Sequence, residues 1–210
     1  MISGDFDRLA GIYDWLAWRV YGSAIRKAQT CFLHTIPDNS RVLVLGGGTG
    51  WWLPYLLEEK KNIQLLYVDP SEQMIRRARK HSGNSSAIEF FPDTIEAVPD
   101  SRKFDAVITF FFFDLFDGKV LEDQMNLIRE HLDSETIWLV ADFTDKQIWH
   151  RMLLGIMYGF FRLFAGLKTK RLPSWEESFS RYVIVQHSAR FYGSFIRSLS
   201  GKLKSYQPMP

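Results

Sequence analysis

Cysteine is nearly missing from this 210-residue sequence, with Cys31 the single example. One thiol excludes an internal disulfide framework and any zinc cluster built from cysteines, and it favours a reducing compartment. The first residues contain no basic region followed by an apolar run, so no signal peptide is predicted and we expect a cytoplasmic protein. The chain also lacks internal repeats and low-complexity tracts, and its length suits one domain.

An excess of charge of one sign is also absent. The chain has 26 basic and 24 acidic residues, a net charge of +2, and no basic stripe. We therefore expect no nucleic-acid partner. No spacing typical of a metal site is present, so we predict no metal ligands. Hydrophobic residues make up 46% of the chain, which is ample for a core.

Apolar runs of membrane-spanning length are lacking as well. The longest, Met152 to Phe161, is ten residues and ends at Arg162, whereas a spanning helix needs about 20. We predict a helix from Trp149 to Phe164 that covers a sheet and lines a pocket. The alternative is peripheral membrane contact through residues 147–171, which include several basic side chains.

Glycine is concentrated where a strand is predicted to end. The stretch from Val42 to Gly50 reads VLVLGGGTG, four β-favouring apolar residues and then glycines at positions 46, 48 and 50. Without side chains, Gly46, Gly48 and Gly50 allow a sharp turn, positive φ and close approach of a ligand. Helical spacing follows, so unpaired N–H groups at this turn favour a negatively charged group.

The spacing of these glycines distinguishes between several kinds of nucleotide-binding fold. A dinucleotide fingerprint starting at Gly46 needs glycine at position 51, where the chain has Trp51. A phosphate-binding P-loop needs Lys and Ser or Thr after Gly50, and neither follows. A nicotinamide-dependent oxidoreductase stays open as an alternative, because it shares the strand, the glycine turn and an acidic residue after the second strand.

Strands and helices alternate from Arg41 onward, a pattern typical of an α/β fold with a parallel doubly wound sheet. Two helical segments precede it, so we predict an N-terminal helical lid in residues 1–40 and the α/β domain in residues 41–210. The predicted later strands are Ile63–Val68, Ala87–Phe91, Phe104–Phe110 and Thr136–Ala141, followed by an antiparallel hairpin of Arg181–Arg190 and Ser194–Leu199.

Two aspartates follow neighbouring predicted strands. Asp69 stands nineteen residues after Gly50, where a carboxylate accepts hydrogen bonds from ribose hydroxyls. Asp93 follows the third strand and can accept from the exocyclic amine of adenine, while the Thr94 N–H can donate to a ring nitrogen. Together with the glycine turn, these residues form a predicted site for adenosine.

Four segments, VLVLGGGTG, YVDPSEQMI, FFPDTIEAVP and FDAVITFFFFDLF, resemble motifs I to IV of the class I S-adenosylmethionine (SAM)-dependent methyltransferases in order and spacing. FDRLAGIYDWL and WLVADFT are similar to segments of the menaquinone and ubiquinone methyltransferase group. The resemblance covers residues 5 to about 145. It implies a Rossmann-like fold with a mainly parallel seven-stranded sheet, SAM as cofactor and S-adenosylhomocysteine as product.

The resemblance also places Tyr13 on the lid near the methionine part of SAM. One departure is Val44, which stands where the family often has an acidic residue that supports the methionine end. The predicted cofactor-binding residues are Tyr13, Gly46, Gly48, Gly50, Asp69, Pro70, Met74, Asp93, Thr94 and Phe110.

A methyl transfer from a sulfonium needs a dry pocket that positions the acceptor, and aromatic faces suit the dispersing positive charge. Phe110 to Phe113 end the fourth strand in the right position for that role, with some of the four rings facing the cofactor and the others in the core. Asp114 and Asp142 are the candidate catalytic residues, because either could take a proton from the acceptor. Either could equally cap a loop.

The function predicted from these residues is methylation of a small, apolar acceptor such as a quinone, a phenol or a lipid head group. Beside the oxidoreductase, a second alternative is a SAM-binding or membrane-peripheral interaction protein without turnover.

Overall fold

The computed structural model describes residues 21–165, 169 and 171–204. Their strands form one seven-stranded sheet in the order β3-β2-β1-β4-β5-β7-β6. Strands β1 to β5 are parallel, and β7 is antiparallel to both of its neighbours. This confirms the predicted mainly parallel sheet with a C-terminal antiparallel hairpin. The strands are β1 Arg41–Leu45, β2 Gln64–Val68, β3 Ile88–Phe91, β4 Phe104–Phe110, β5 Leu132–Phe143, β6 Val183–Phe191 and β7 Ile196–Leu203.

Helices connect the parallel strands and cover both faces of the sheet. Ser71 begins one of them by accepting a hydrogen bond from the Met74 N–H at 3.2 Å, and Asp117 begins another by accepting from the Val120 N–H at 3.1 Å. Serine and aspartate are among the residues that N-cap positions favour. The helices are α1 Ser23–Thr30, α2 Leu53–Glu59, α3 Glu72–His81, α4 Gly118–Glu130, α5 Ile148–Ala165 and α6 Trp175–Tyr182.

The sheet is buried between two apolar layers because alternate residues of each strand point to opposite faces. On β1, Val42 and Val44 face the layer that contains α1, α2, α3 and α5. Leu43 and Leu45 face the layer that contains α4 and α6. All four side chains are 1% exposed or less, which is why this strand reads as an uninterrupted apolar run.

Several boundaries differ from the prediction. Strand β5 begins at Leu132 rather than Thr136, and its pairing with β4 changes register between Phe104 and Ala106. The Thr136 hydroxyl donates to the Phe104 carbonyl at 2.8 Å across this irregularity, which keeps a polar residue inside the strand. Helix α6 was not predicted, because its eight residues precede the hairpin without a long apolar period.

The described part of the N-terminal segment packs on the sheet. The Ala28 carbonyl of α1 accepts from the Ser198 hydroxyl of β7 at 2.8 Å. The neighbouring Gln29 accepts from the Trp51 indole N–H at 2.9 Å, directly after the glycine turn. Residues 1–20, with Tyr13, lie outside the described residues, so the lid stays a prediction.

Within the described ranges, no helix combines the length and apolar character that crossing a membrane requires.

A substitution at Gly201 of β7 would test how closely the two strands of the hairpin pack. An added Cβ would lie 2.2 Å from the Ile184 carbonyl oxygen, a backbone atom of the paired strand. We therefore expect Gly201→Ala to lower the free energy of unfolding by about 2 kcal/mol, measured by urea titration. Gly155→Ala is the matched control, because an added Cβ there meets nothing within 4 Å and alanine favours a helix interior. Equal effects of the two changes would contradict this packing.

Candidate active site

The glycine turn after β1 has positive φ at all three alternating glycines, +58° at Gly46 and +63° at Gly48 and Gly50. An added Cβ would lie 2.5 Å from Phe112 Cδ2 at Gly46 and 2.9 Å from Ala78 Cβ at Gly50. At Gly48, no atom of the described residues lies within 4 Å of that position. Packing therefore requires the two outer glycines, while the middle one borders open space.

Side chains from β2 and the loop after it hold the turn in place. Asp69, 6% exposed, accepts from the Gly48 N–H through Oδ2 at 3.0 Å and from the Ser71 N–H through Oδ1 at 2.9 Å. The Tyr67 hydroxyl donates to the Gly48 carbonyl at 3.0 Å. Burial, and secondarily the Asp69 charge, raises the pKa of Tyr67, so the phenol stays protonated as a donor. The turn is thus fixed to the end of β2.

Tyr67 and His81 both contact the glycine turn, and neither contact was predicted from the sequence. Tyr67 lies inside a predicted strand, where it reads as ordinary core. His81, at the end of α3, has Nδ1 at 2.8 Å from the Thr49 carbonyl oxygen. The signal for Tyr67 was its alternation along β2 beside the glycine turn, which puts it on the same face as Val44.

Asp93 follows β3, the neighbour of β2 in the sheet. The Asp69 N–H donates to the Phe91 carbonyl at 3.2 Å, so the loops with Asp69 and Asp93 leave the same edge side by side. Asp93 and Thr94 are both exposed. The Thr94 N–H, which we expected to be open to a ligand, donates to Asp93 Oδ1 at 2.7 Å.

The four phenylalanines at the end of β4 have different surroundings. Phe110 is buried and packs edge-on against Trp52, with ring centroids 5.3 Å apart. Phe112 covers the glycine turn, and Phe113 is fully buried. Phe111 is partly buried and has φ +52°, a left-handed conformation that a bulky residue seldom adopts. The chain therefore turns away from the sheet at Phe111.

Asp142, near the end of β5, stabilises that turn. Its Oδ2 accepts from the Phe113 N–H at 2.9 Å and the Asp114 N–H at 3.3 Å, and its Oδ1 accepts from the Phe143 N–H at 2.7 Å. The Phe113 and Asp114 N–H groups are the unpaired donors at the start of a 3-10 turn, Phe113–Leu115, while the Phe143 N–H belongs to β5 itself. Asp142 is fully buried and has a capping role, one of the two roles that its sequence position left open.

Asp114 lies against Asp142 and is 6% exposed. Its Oδ1 has no hydrogen-bond partner among the described residues. Burial raises the pKa of Asp114 to about 7. Burial and then the Asp114 charge raise the pKa of Asp142 well above its usual range. The pair therefore retains a proton to near-neutral pH, because two adjacent carboxylates in a poorly solvated place cannot both ionise easily.

Two phenols surround this carboxyl pair. The Tyr158 hydroxyl of α5 donates to the Asp114 carbonyl at 3.3 Å. The Tyr21 hydroxyl donates to Met157 Sδ at 3.7 Å. Burial and then the Asp114 charge raise the pKa of both phenols, so both are neutral. Neither tyrosine was predicted to be part of the site, because each reads as a packing residue in an apolar stretch.

The remaining predicted residues have simpler positions. Pro70 is exposed after β2, Met74 is buried on α3, and Val44 is fully buried in β1. No group of three or more histidine, cysteine or acidic side chains in the described ranges is arranged to hold a metal ion.

The chain is similar to the carboxy-S-adenosyl-L-methionine synthase of Nautilia profundicola, with 25% identity over 129 residues, 60% of this chain and 54% of that protein. It thus spans about half the length of this curated relative. Among solved structures, the complex between the Haloferax volcanii Trm112 methyltransferase activator and a putative methyltransferase matches with a TM-score of 0.74 and 13% identity over 100% of both chains. The N-methyltransferase NodS of Bradyrhizobium japonicum WM9, solved with S-adenosyl-L-homocysteine, matches with a TM-score of 0.64 and 12% identity over 86% of each chain.

Residues 42–135, from β1 into β5, match the sequence profile of a family described as a methyltransferase domain. The chain has the class I methyltransferase fold. The predicted fold is thereby confirmed. The glycine turn, Asp69 and Asp93 all lie inside the matched segment, while Asp142 lies just beyond it.

The raised pKa of Asp114 predicts that the stability of the fold depends on pH. Below about pH 4, Asp114 is protonated in both the folded and the unfolded chain, so it does not destabilise the fold. Between about pH 4 and pH 7 it ionises in the unfolded chain but stays protonated in the folded one, so the unfolded chain is increasingly favoured. The free energy of unfolding should therefore fall over this window. Asp114→Asn should remove that penalty, so its stability relative to the unchanged protein should rise by about 2 kcal/mol from pH 5 to pH 8.

The measurement is urea unfolding at both pH values. The matched control is Asp123→Asn, a change of an exposed acid on α4. A relative stability of the Asp114 variant that does not change with pH would contradict the assignment.

Proposed function

We propose that this chain transfers the methyl group of SAM to a small acceptor that is largely apolar. The observation that carries the proposal is the contact between the glycine turn and Asp69. Two neighbouring strand ends meet there at 3.0 Å and leave open space at Gly48. Ligands collect at this edge in open parallel sheets.

The residues at this edge fit SAM in the chemistry of their donors and acceptors. Asp69 lies at the end of β2 beside the glycine turn, the position in such sheets from which a carboxylate accepts hydrogen bonds from ribose hydroxyls. Asp93 is exposed at the next strand end, where its free oxygen can accept from the adenine amine. Gly46, Pro70, Met74, Thr94 and Phe110 complete the proposed cofactor site, together with Tyr13 from the undescribed segment.

The cofactor supplies an electrophilic methyl group on a sulfonium. The protein must position the acceptor, exclude water and accept a proton where the attacking atom carries one. We assign the last task to Asp114, whose buried Oδ1 is unpaired within the described ranges. Asp142 holds the Asp114 turn through the Phe113 and Asp114 N–H groups, which makes it a positioning residue.

An apolar acceptor suits the surroundings of Asp114. Tyr21, Phe111 and Phe143 pack close together there, with the Phe111 and Phe143 ring centroids 4.9 Å apart. The similarity of FDRLAGIYDWL and WLVADFT to the menaquinone and ubiquinone group supports a quinone-like or phenolic acceptor within this class. A phenolic hydroxyl would give its proton to Asp114 as the methyl group is transferred.

Replacement of Asp69 tests the cofactor site. Asp69→Ala should reduce SAM affinity at least about 100-fold by calorimetry, because it removes the ribose acceptor and releases the Gly48 N–H. Asp117→Ala is the matched control, since Asp117 also caps a helix through its carboxylate. Circular dichroism checks that both variants are folded. SAM affinity equal in the two variants would refute the site.

A second prediction concerns the proton acceptor. A screen of cell extract with methyl-labelled SAM identifies the acceptor, and kcat is then measured against pH. We expect kcat to rise with pH through about 7 as Asp114 ionises. Asp114→Asn should lower kcat about 100-fold or more without loss of SAM affinity. An unchanged pH profile in this variant would remove Asp114 from the mechanism and leave SAM binding intact.

A further inference from the structure

Helix α5, Ile148–Ala165, has one buried face and one exposed apolar face. Leu154 and Tyr158 are each 4% exposed and pack in the core. Ile148, Met152 and Ile156 are 78%, 66% and 71% exposed. The spacing of four residues puts these three side chains in one line along the helix, which we call the α5 stripe.

Other residues widen this apolar face. Gly155 and Gly159 are exposed beside the stripe, and an added Cβ at either would meet nothing within 4 Å. At the start of the helix, Trp149 and Tyr192 are 38% and 40% exposed with ring centroids 6.0 Å apart. Half-exposed tryptophan and tyrosine suit the boundary between an apolar phase and water.

The charges along this segment are all of one sign. Residues 146–174 contain six basic side chains and no acidic one, although the whole chain is nearly neutral. Arg151 and Arg162, on α5 itself, are exposed. A surface that complements this combination presents apolar material beneath a layer of negative charge, as anionic lipids do.

Elsewhere in the described residues, the exposed large apolar side chains are single ones, Tyr55 on α2 and Val120 on α4, and the adjacent pair Ile184 and Val185, whose side chains point to opposite faces of β6. Single exposed residues of this kind are ordinary, whereas a continuous line flanked by basic charge marks an interaction surface. α5 does not meet the criteria for a spanning helix. Its geometry suits a helix that lies in the plane of a lipid surface.

We propose that the α5 stripe docks on an anionic lipid surface, with Arg151 and Arg162 of the same helix in contact with the head groups. The proposal stands independently of methyl transfer, because vesicle binding can be measured without SAM or acceptor.

The test is co-sedimentation of the full chain with vesicles of phosphatidylcholine alone or with about 30% phosphatidylglycerol. We expect binding to the anionic vesicles that weakens with salt. Met152→Glu with Ile156→Glu should reduce the partition coefficient at least about tenfold, because each change removes apolar contact and adds repulsive charge. The matched control is Val120→Glu with Ile184→Glu, which changes two exposed apolar residues, 39% and 56% exposed, on other elements.

Three outcomes would overturn the proposal. The first is no binding of the unchanged protein to anionic vesicles. The second is an equal loss in the stripe variant and the control, with circular dichroism confirming that both are folded. The third is a lipid-free shift from dimer to monomer in sedimentation velocity caused by the stripe variant, which would assign the stripe to a second copy of the chain. Loss of binding confined to the stripe variant, with a monomer throughout, supports the proposal.

Discussion

The Asp69 carboxylate joins the ends of two parallel strands. It accepts the Gly48 N–H of the turn after β1 and the Ser71 N–H at the start of α3. Both donors lie next to the end of a strand or the start of a helix, where backbone N–H groups lack partners within a regular element. A turn with three positive-φ glycines would otherwise have many accessible conformations. Fixing it at a buried carboxylate gives the site one shape before any ligand arrives, which lowers the ordering cost of binding.

Asp142 likewise fixes the backbone conformation where β4 and β5 end. Its hydrogen bonds to the Phe113 and Asp114 N–H groups hold the 3-10 turn that follows the left-handed Phe111. Backbone strain of this kind persists only where surrounding contacts over-determine it, and it concentrates at functional sites. Its consequence here is the position of Asp114, which is held beside a second carboxyl group and away from water. The elevated pKa of Asp114 therefore follows from the local backbone shape.

The sequence predicted the parts of this structure that depend on local patterns. Alternating strand and helix periods identified the sheet, and the spacing of three glycines located the turn at which Asp69 binds. Contacts between residues far apart in the chain left no such pattern. Tyr67 and Gly48 are nineteen residues apart, and Tyr158 and Asp114 are 44 apart. Each of these tyrosines has an apolar body that reads as core, and only the tertiary structure shows where its hydroxyl donates.

The roles of Asp114 and Asp142 also could not be determined from the sequence alone. Both were expected at the carboxyl ends of strands, but their different roles depend on which backbone N–H groups lie near each carboxylate. Asp142 accepts from three backbone donors, whereas Asp114 Oδ1 has none among the described residues. The register of β4 against β5, which pairs Phe110 with Ala141, decides this difference, and register arises from the whole sheet.

Helix α5 relates the two proposed surfaces to each other. Its buried face carries Tyr158, which donates to the Asp114 carbonyl, and its exposed face carries Met152 and Ile156. The carboxyl pair and the proposed lipid surface are therefore on opposite sides of one helix, about 10 Å thick with its side chains. An apolar acceptor concentrates in a bilayer rather than in water. A protein docked through the α5 stripe would hold its proton acceptor close to that reservoir, which would shorten the path of the acceptor through water.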